Sequence, residues 1–148
     1  MNEFQTVLLA VGPKDRKNVT QFFETVKPIA GPTEAVVILL HVFSRQEYEG
    51  LIDRLDEAGD LDPDALAKRH DDVQRPATKF ADAGIETEVH GVIGDPETEI
   101  VHTAEEINAD LLFIGGAKRS PTGKAIFGDN AQQILLNSPC PVTYIQRE

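Results

Sequence analysis

Five short apolar runs alternate with helical patterns along the whole chain, and this alternation limits the fold more than any other feature. Each run has the length of a strand, and each segment between two runs is long enough to cross over a sheet. Because such crossovers are right-handed, the strands become parallel and helices cover both faces. The sequence therefore predicts a doubly wound α/β fold around one five-stranded parallel sheet. The predicted strands cover residues 4–11, 35–43, 86–93, 111–115 and 142–146.

Glycine and proline mark the ends of the first predicted helices. The first helix is predicted over residues 15–30, with Gly31 and Pro32 as its stop signal. A second helical pattern covers residues 63–83. Pro76 lies inside this pattern, and we expect it to kink the helix or to split it in two.

The later helices have clearer boundaries. Asp95 is the predicted N-cap of the next helix and Pro96 its first residue, while Asn108 is its predicted left-handed end. The last helix is predicted over residues 129–137. The polar segment 44–62 receives no assignment and is a candidate lid over a binding cleft.

The charge balance of the chain is strongly acidic. It has 25 acidic and 14 basic residues, which give a formal net charge of −11 over 148 residues. An acidic surface disfavours binding to nucleic acids, which need a basic face. The acidity indicates either a well-solvated surface or adaptation to high salt in a halophile.

Length and hydropathy favour a single cytoplasmic domain over residues 1–148. No apolar run approaches the roughly 20 residues that a membrane span needs. The first residues lack the basic segment of a signal peptide, so we expect neither secretion nor a membrane partner.

Cysteine and histidine offer little evidence of a metal or catalytic site. Cys140 is the single cysteine, and we interpret it as a small apolar residue rather than a reactive thiol. The four histidines, His41, His70, His90 and His102, lack the close spacing that is typical of metal ligands, so no metal site is predicted. His41 lies at the end of the second predicted strand, next to the expected cleft, and a hydrogen bond to the backbone is its expected role.

A basic loop follows the fourth predicted strand. Lys118, Arg119 and Lys124 lie within seven residues of one another, against the acidic trend of the chain. Loops between a strand and a helix bind anionic ligands in α/β sheets. Contact with a phosphorylated ligand, ion pairs with nearby carboxylates and contact with a protein partner are all open interpretations of this loop.

Several short motifs then occur in a familiar order. They are Val7–Val11, the run from Leu39 to Val42, Gly94–Pro96, the run from Ala109 to Gly115, and Pro139–Val142. In these motifs the chain resembles the universal stress protein family over nearly its whole length. The resemblance implies a sheet with strand order 3-2-1-4-5. It also implies a homodimer formed through the fifth strand, with Val142, Tyr144 and Ile145 at the interface.

Many members of this family bind ATP through a motif of three glycines. Two residues separate the first glycine from the second, nine separate the second from the third, and Ser or Thr follows the third. The first and third glycines match Gly115 and Gly128, whereas the second falls on Lys118 and the Ser or Thr on Asp129. An acidic residue that the family has after the first strand falls on Gly12 here. The resemblance implies that Val42, which matches the family, lies against the base. The candidate nucleotide- or phosphate-binding residues are Gly12, Val42, Gly115, Gly116, Lys118, Arg119, Lys124, Gly128, Asp129 and Asn130.

The departures from the motif act in opposite directions. A carboxylate at Asp129 about 5 Å from a phosphate charge costs roughly 3 kcal/mol at an effective dielectric constant near 20. The cations at Lys118, Arg119 and Lys124 offset that cost, and Arg119 can bind two phosphate oxygens at once.

The sequence leaves two functions open. One is a stress-response regulator that binds ATP or another phosphorylated small molecule, with Mg²⁺ entering only with the nucleotide. The other is a dimeric stress-response interaction protein that binds no nucleotide because its motif is altered. A slow ATPase has the least support, because no catalytic residue is assigned.

Overall fold

The computed structural model describes residues 5–54, 62–116 and 131–147. Five parallel strands form one sheet in the order β3-β2-β1-β4-β5, which confirms the predicted fold class and strand order. Each strand lies within two residues of its predicted bounds. The strands are β1 (Thr6–Ala10), β2 (Val36–Phe43), β3 (Thr87–Ile93), β4 (Leu111–Gly116) and β5 (Val142–Gln146).

Helices cover both faces of the sheet, and a 3-10 helix (Pro13–Asn18) follows β1. No helix in the described ranges is long and apolar enough to cross a membrane. The α-helices are α1 (Val19–Thr33), α2 (Arg45–Arg54), α3 (Pro63–Lys68), α4 (Asp71–Asp82), α5 (Pro96–Glu106) and α6 (Ala131–Asn137).

The central strands are almost continuously apolar because both of their faces are buried. On one face Leu9 belongs to a core that includes Phe22 and Val26 of α1 and Phe80 of α4. On the other face Leu8 belongs to a core that includes residues of α5 and α6, among them Ile100, Ala104 and Ile134. A third, smaller cluster joins Phe43 of β2 to Leu66 and Ala67 of α3.

A side chain fixes the amino-terminal edge of the sheet. Asp110, just before β4, accepts hydrogen bonds at Oδ2 from the amides of Gln5 and Thr6, at 2.9 and 3.0 Å. These bonds align the start of β1 with the start of β4, where Val7 pairs with Leu111. The register determines which residues meet at the opposite end of both strands.

The predicted stop at Gly31 and Pro32 is wrong. Helix α1 runs through both residues to Thr33 and ends at Glu34, which adopts a left-handed φ of 57°. A proline in the last turn removes only one helical hydrogen bond. Burial of Val26 and Ala30 against the sheet favours the continued helix.

The second helical pattern is split, but not at Pro76. The break lies at Arg69 and His70, between α3 and α4, and Pro76 lies buried inside α4. His70 forms the N-cap of α4, with its Nδ1 accepting a hydrogen bond from the Asp72 amide at 3.1 Å. A histidine at this position is a weaker sequence signal than a proline, so the pattern alone indicated the wrong residue.

Other helix ends agree with the sequence. Asp95 occupies the N-cap of α5 and Pro96 its first residue. Asn108 has a φ of 53°, as its predicted left-handed conformation requires. The unassigned segment begins with α2, for which Ser44 Oγ accepts a hydrogen bond from the Glu47 amide at 3.0 Å. The rest of the candidate lid includes residues 55–61, which lie outside the described residues.

Candidate functional site

A cleft of about 370 Å³ opens at the carboxyl ends of the central strands. It lies where β1 is flanked by β2 on one side and β4 on the other, so the connections from these strands leave in opposite directions. Open α/β sheets bind ligands at such a switch point. The cleft is lined by Ala10, Val11, Gly12, Pro13, Lys14, Asp15, Leu40, Val42, Ser44, Glu47, Gly94, Asp95, Pro96, Ile100, Ile114, Gly115, Ala131, Ile134 and Arg147.

The floor of the cleft is apolar. Leu40, Ile100, Ile114 and Ile134 are all buried at its base, and Val42 is half-buried beside them. They come from β2, α5, β4 and α6, so the floor exists only when these elements are packed together. A concave apolar surface of this kind suits a flat ring system, because apolar contact costs no unpaired polar groups.

One rim of the cleft carries an ion pair. Arg147 Nε lies 2.8 Å from Asp15 Oδ1, and both side chains are largely buried, at 17% and 14% exposure. The other oxygen of Asp15, Oδ2, accepts a hydrogen bond from the Gly12 amide at 2.9 Å. An acidic side chain therefore lies beside Gly12, although the residue at position 12 itself is not acidic.

Sequence reasoning missed Asp15 and Arg147. The family motif has an acid at position 12, whereas in this chain the 3-10 helix brings the acid three residues later, at Asp15, to the same place. Arg147 lies just beyond β5, and no local pattern marks it. Its position depends on the pairing of β5 with β4, where Gly116 aligns with Gln146.

The two glycines at the end of β4 have different surroundings. Gly115 lines the cleft, and a Cβ there would collide with the ring of Phe22 and lie 2.8 Å from Asp15 Oδ1. Gly116 is buried, and a Cβ there would collide with the ring of Tyr144. Close packing therefore requires glycine at both positions, whatever the cleft binds.

The structure brings some of the predicted site residues together. Gly12, Val42 and Gly115 line the cleft, whereas Gly116 faces Tyr144 and is not part of its lining. The remaining candidates lie outside the described residues: Lys118, Arg119, Lys124, Gly128, Asp129 and Asn130.

Strand β5 lies at the edge of the sheet, with β4 as its neighbour. Val142 and Tyr144 are half-buried and pack against the core on the α5 and α6 face. Ile145 is only 4% exposed and belongs to the core on the opposite face. The side chain of Ile145 is therefore occupied within its own chain, and an interface on this strand would use its backbone edge.

A cluster of titratable side chains lies beside the cleft wall. Glu47 Oε2 lies 3.6 Å from Nε2 of both His41 and His70, and Glu47 itself lines the cleft. The two imidazole rings lie 4.4 Å apart between centroids. Burial lowers the pKa of His41, and the neighbouring His70 lowers it further, so His41 is neutral at pH 7.

Sequence spacing did not reveal this cluster, because its members come from β2, α2 and the turn before α4. The prediction for His41 alone is confirmed, since its Nδ1 lies 3.3 Å from the Val11 carbonyl oxygen. Within the described part of the chain, His41, Glu47 and His70 form a group that could hold a metal ion.

A second groove, of about 580 Å³, lies between α1 and α4. It is more open to solvent than the cleft, and its lining includes four cations, Arg16, Lys17, Arg75 and Lys79. It lies on a helical face, away from the carboxyl ends of the strands. The cleft is the better candidate site because it combines an apolar floor with polar groups at the sheet's switch point.

Comparison with known proteins agrees with this architecture. The sequence profile of the Universal stress protein family matches residues 3–146. A universal stress protein from Mycolicibacterium smegmatis is 36% identical over 90 residues, which span 60% of this chain and 69% of that protein.

Solved structures share the fold. A universal stress protein from Archaeoglobus fulgidus superposes with a TM-score of 0.70 at 24% identity, over 96% of this chain and 98% of the other. A universal stress protein from the same organism, in complex with dAMP, superposes with a TM-score of 0.64 at 18% identity, over 97% of this chain and 99% of the other. With a family profile that matches almost every residue, this chain belongs to the universal stress protein family.

Proposed function

We propose that this protein is a stress-response regulator that binds an adenine nucleotide, or another phosphorylated small molecule, in the cleft between β1 and β4. The observation that carries the proposal is the position of an apolar-floored cleft at the switch point of a parallel sheet. Its volume of about 370 Å³ falls within the roughly 300–1,000 Å³ that is usual for small-molecule sites. The A. fulgidus protein that contains dAMP has the same fold.

The base would occupy the apolar floor. Val42 and Leu40 of β2 and Ile100 of α5 all contribute to it. These side chains can contact the ring of a purine without leaving a buried polar group unpaired. In this proposal Val42 contacts the base, as the family resemblance implies.

The phosphates would lie toward the end of β4. Gly115 lines the cleft, and the basic loop follows it directly in the sequence. We assign phosphate contacts to Lys118, Arg119 and Lys124, with Gly128 and Asn130 close to the ligand. Arg147 adds a cation on the cleft rim, and Mg²⁺ would enter only with the nucleotide.

A homodimer through β5 is the second part of the proposal. This strand lies at the sheet edge, and an unpaired edge favours pairing with another strand. Val142 and Tyr144 would flank a two-fold axis at which the strand pairs with its copy. Size-exclusion chromatography with light scattering tests this, and a monomer at all concentrations would contradict it.

A protein that binds no nucleotide is the competing function. Asp129 in place of Ser or Thr favours it, because a carboxylate repels a phosphate. In that case the double change Lys118→Gly and Asp129→Ser creates binding that the parent chain lacks. If the parent already binds as tightly as the double variant, this competing function is excluded.

The decisive experiment starts with protein purified without added nucleotide. The protein is denatured, and any released small molecule is identified by mass spectrometry. Calorimetric titration with ATP, AMP and cAMP at matched salt then gives the affinity of the emptied protein. The proposal is refuted when the protein releases no nucleotide on denaturation and the titrations produce no heat of binding.

A pair of variants locates the binding site. Val42→Trp places a large ring in the cleft and should weaken binding at least about tenfold, or 1.4 kcal/mol. Leu136→Trp is the matched control, since Leu136 is 76% exposed on α6 and does not line the cleft. Equal affinity in both variants would place the nucleotide elsewhere.

A further inference from the structure

His41, Glu47 and His70 present three ligand atoms to one small volume beside the cleft. These atoms all lie within 4.8 Å of one another, and Glu47 Oε2 lies 3.6 Å from each histidine Nε2. Ligands about 2.0–2.2 Å from a tetrahedral zinc ion lie about 3.4 Å from one another. The two distances from Glu47 Oε2 to the histidine nitrogens are therefore only slightly longer than the distances between ligands in a zinc site.

The protonation of His41 can be deduced from its backbone contact. Its Nδ1 lies 3.3 Å from the Val11 carbonyl oxygen, which can only accept a hydrogen bond, so Nδ1 carries the proton. The lone pair of the neutral ring is then on Nε2. This atom is buried and has no hydrogen-bond partner within the described ranges, while the side chain is 1% exposed. A buried lone pair 3.6 Å from a carboxylate oxygen, on a ring that lies beside a second imidazole, calls for a cation.

Asp72 supplies a second unsatisfied atom on the far side of His70. Its Oδ1 accepts a hydrogen bond from Arg16 Nε at 2.6 Å, but its buried Oδ2 has no partner within the described ranges. That oxygen lies 3.6 Å from His70 Nδ1. The carboxylate is thus held in place next to the ring nitrogen that faces away from Glu47.

A metal ion at His70 Nε2 would satisfy both atoms. Without metal, His70 Nδ1 accepts from the Asp72 amide, so the proton of the neutral ring is on Nε2. When Nε2 binds a metal, the proton moves to Nδ1 and can be donated to Asp72 Oδ2. His70 stays neutral in this exchange, because its one ring proton only changes nitrogen. The hydrogen bond from the Asp72 amide to Nδ1 is lost. A carboxylate that orients a ligating histidine is a common arrangement in zinc proteins.

We propose that Nε2 of His41, Nε2 of His70 and the carboxylate of Glu47 bind one divalent transition-metal ion of the zinc class, with Asp72 as the positioning residue of His70. Two imidazoles and one carboxylate suit Zn²⁺, whereas Mg²⁺ and Ca²⁺ prefer sites made of oxygen ligands. Glu47 is 38% exposed and lines the cleft, so an ion can enter from there. Three protein ligands leave the fourth position for water or for a donor atom of a molecule in the cleft.

The test uses the full chain stripped of metal with a chelator, with no nucleotide added. Titration with Co²⁺, followed by its visible absorption, should show one tetrahedral site per chain, and Zn²⁺ should displace the Co²⁺. Because metal alone is the probe, the outcome is independent of whether the cleft binds a nucleotide. No saturable Co²⁺ or Zn²⁺ binding would overturn the proposal.

Three variants assign the ligands. Glu47→Gln is the main variant, because Glu47 is half-buried on α2 and its replacement should leave the fold intact; it should weaken Zn²⁺ binding more than tenfold. Asp72→Asn should weaken binding by about 10–100-fold, as is usual for groups that orient a ligand. His102→Gln is the matched control, since His102 is 61% exposed and forms a similar contact with Glu106 at 3.6 Å. An equal loss in His102→Gln and Glu47→Gln would indicate surface binding and refute the site.

Imidazole nitrogen chemical shifts provide a readout that does not depend on affinity. On addition of Zn²⁺, the proton of His70 should move from Nε2 to Nδ1, while His41 keeps its proton on Nδ1. Unchanged His70 shifts in the presence of saturating Zn²⁺ would exclude His70 as a ligand.

Discussion

Arg147 Nε donates a hydrogen bond to Asp15 Oδ1 over 2.8 Å, although 132 residues separate the two in the sequence. The bond connects the end of β5 to the 3-10 helix after β1, on opposite sides of the end of β4. Asp15 also accepts a hydrogen bond from the Gly12 amide, so one carboxylate organises this rim of the cleft.

Asp15→Asn should reduce the free energy of unfolding by about 1.5–3 kcal/mol, the range for hydrogen bonds that involve charged groups. The pair is 14% and 17% exposed, so solvent screens it only partly. Urea unfolding measures the change. Glu24→Gln, at an exposed position on α1, is the control and should change stability by less than about 0.5 kcal/mol. Equal stabilities for the two variants would show that the ion pair does not support the rim.

Gly115→Ala should destabilise the protein by about 1–3 kcal/mol, because the added methyl group collides with Phe22 and crowds Asp15. Gly31→Ala is the matched comparison, since nothing lies within 4 Å of its added Cβ and the residue lies inside α1. It should stabilise the protein by about 0.5–1 kcal/mol through helix propensity. Thermal unfolding of both variants measures the difference, and a stable Gly115→Ala variant would contradict the packing at the end of β4.

Cys140 should react slowly with alkylating reagents. Burial raises the pKa of its thiol, and the nearby charge of Asp110 raises it further, whereas a hydrogen bond with Ser138 lowers it. A raised pKa means less of the reactive thiolate at any given pH below it. The rate of alkylation by iodoacetamide should therefore rise at a higher pH in the folded protein than in the chain unfolded by urea. Ser138→Ala should move the profile to still higher pH, and a profile at lower pH than in the unfolded chain would contradict the burial of this thiol.

Salt should stabilise the folded state. With a formal net charge of −11, the compact chain brings like charges together, and dissolved ions screen their repulsion. Urea midpoints measured at increasing KCl concentration should rise steadily. Midpoints that do not change with KCl would indicate a merely solvated acidic surface, without adaptation to high salt.

The strands could be predicted closely because burial on both faces gives β1, β2 and β4 continuous apolar runs. Helix boundaries were less accurate where proline was expected to end or break a helix. Pro32 and Pro76 both lie inside helices, since packing against the sheet outweighs the loss of one hydrogen bond.

The candidate site was predicted only in part. Gly12 follows β1, and Val42 and Gly115 lie near the carboxyl ends of β2 and β4. Their positions at the carboxyl edge could therefore be predicted from the alternation of strands and helices. The cluster of His41, Glu47 and His70 could not, because it depends on α2, which the sequence left unassigned, and on a helix break at an unexpected residue. Contacts between distant segments depend on the register of the sheet, which no local pattern contains.

The apolar floor of the cleft, assembled from β2, β4, α5 and α6, links the folding equilibrium to the supply of ligand. Since these elements meet only in the native state, a ligand held there binds the folded chain and not the unfolded one. At a free concentration 100 times its Kd, such a ligand adds about 2.7 kcal/mol to the stability of the fold. The resistance of this protein to degradation in the cell would then rise and fall with the concentration of its ligand.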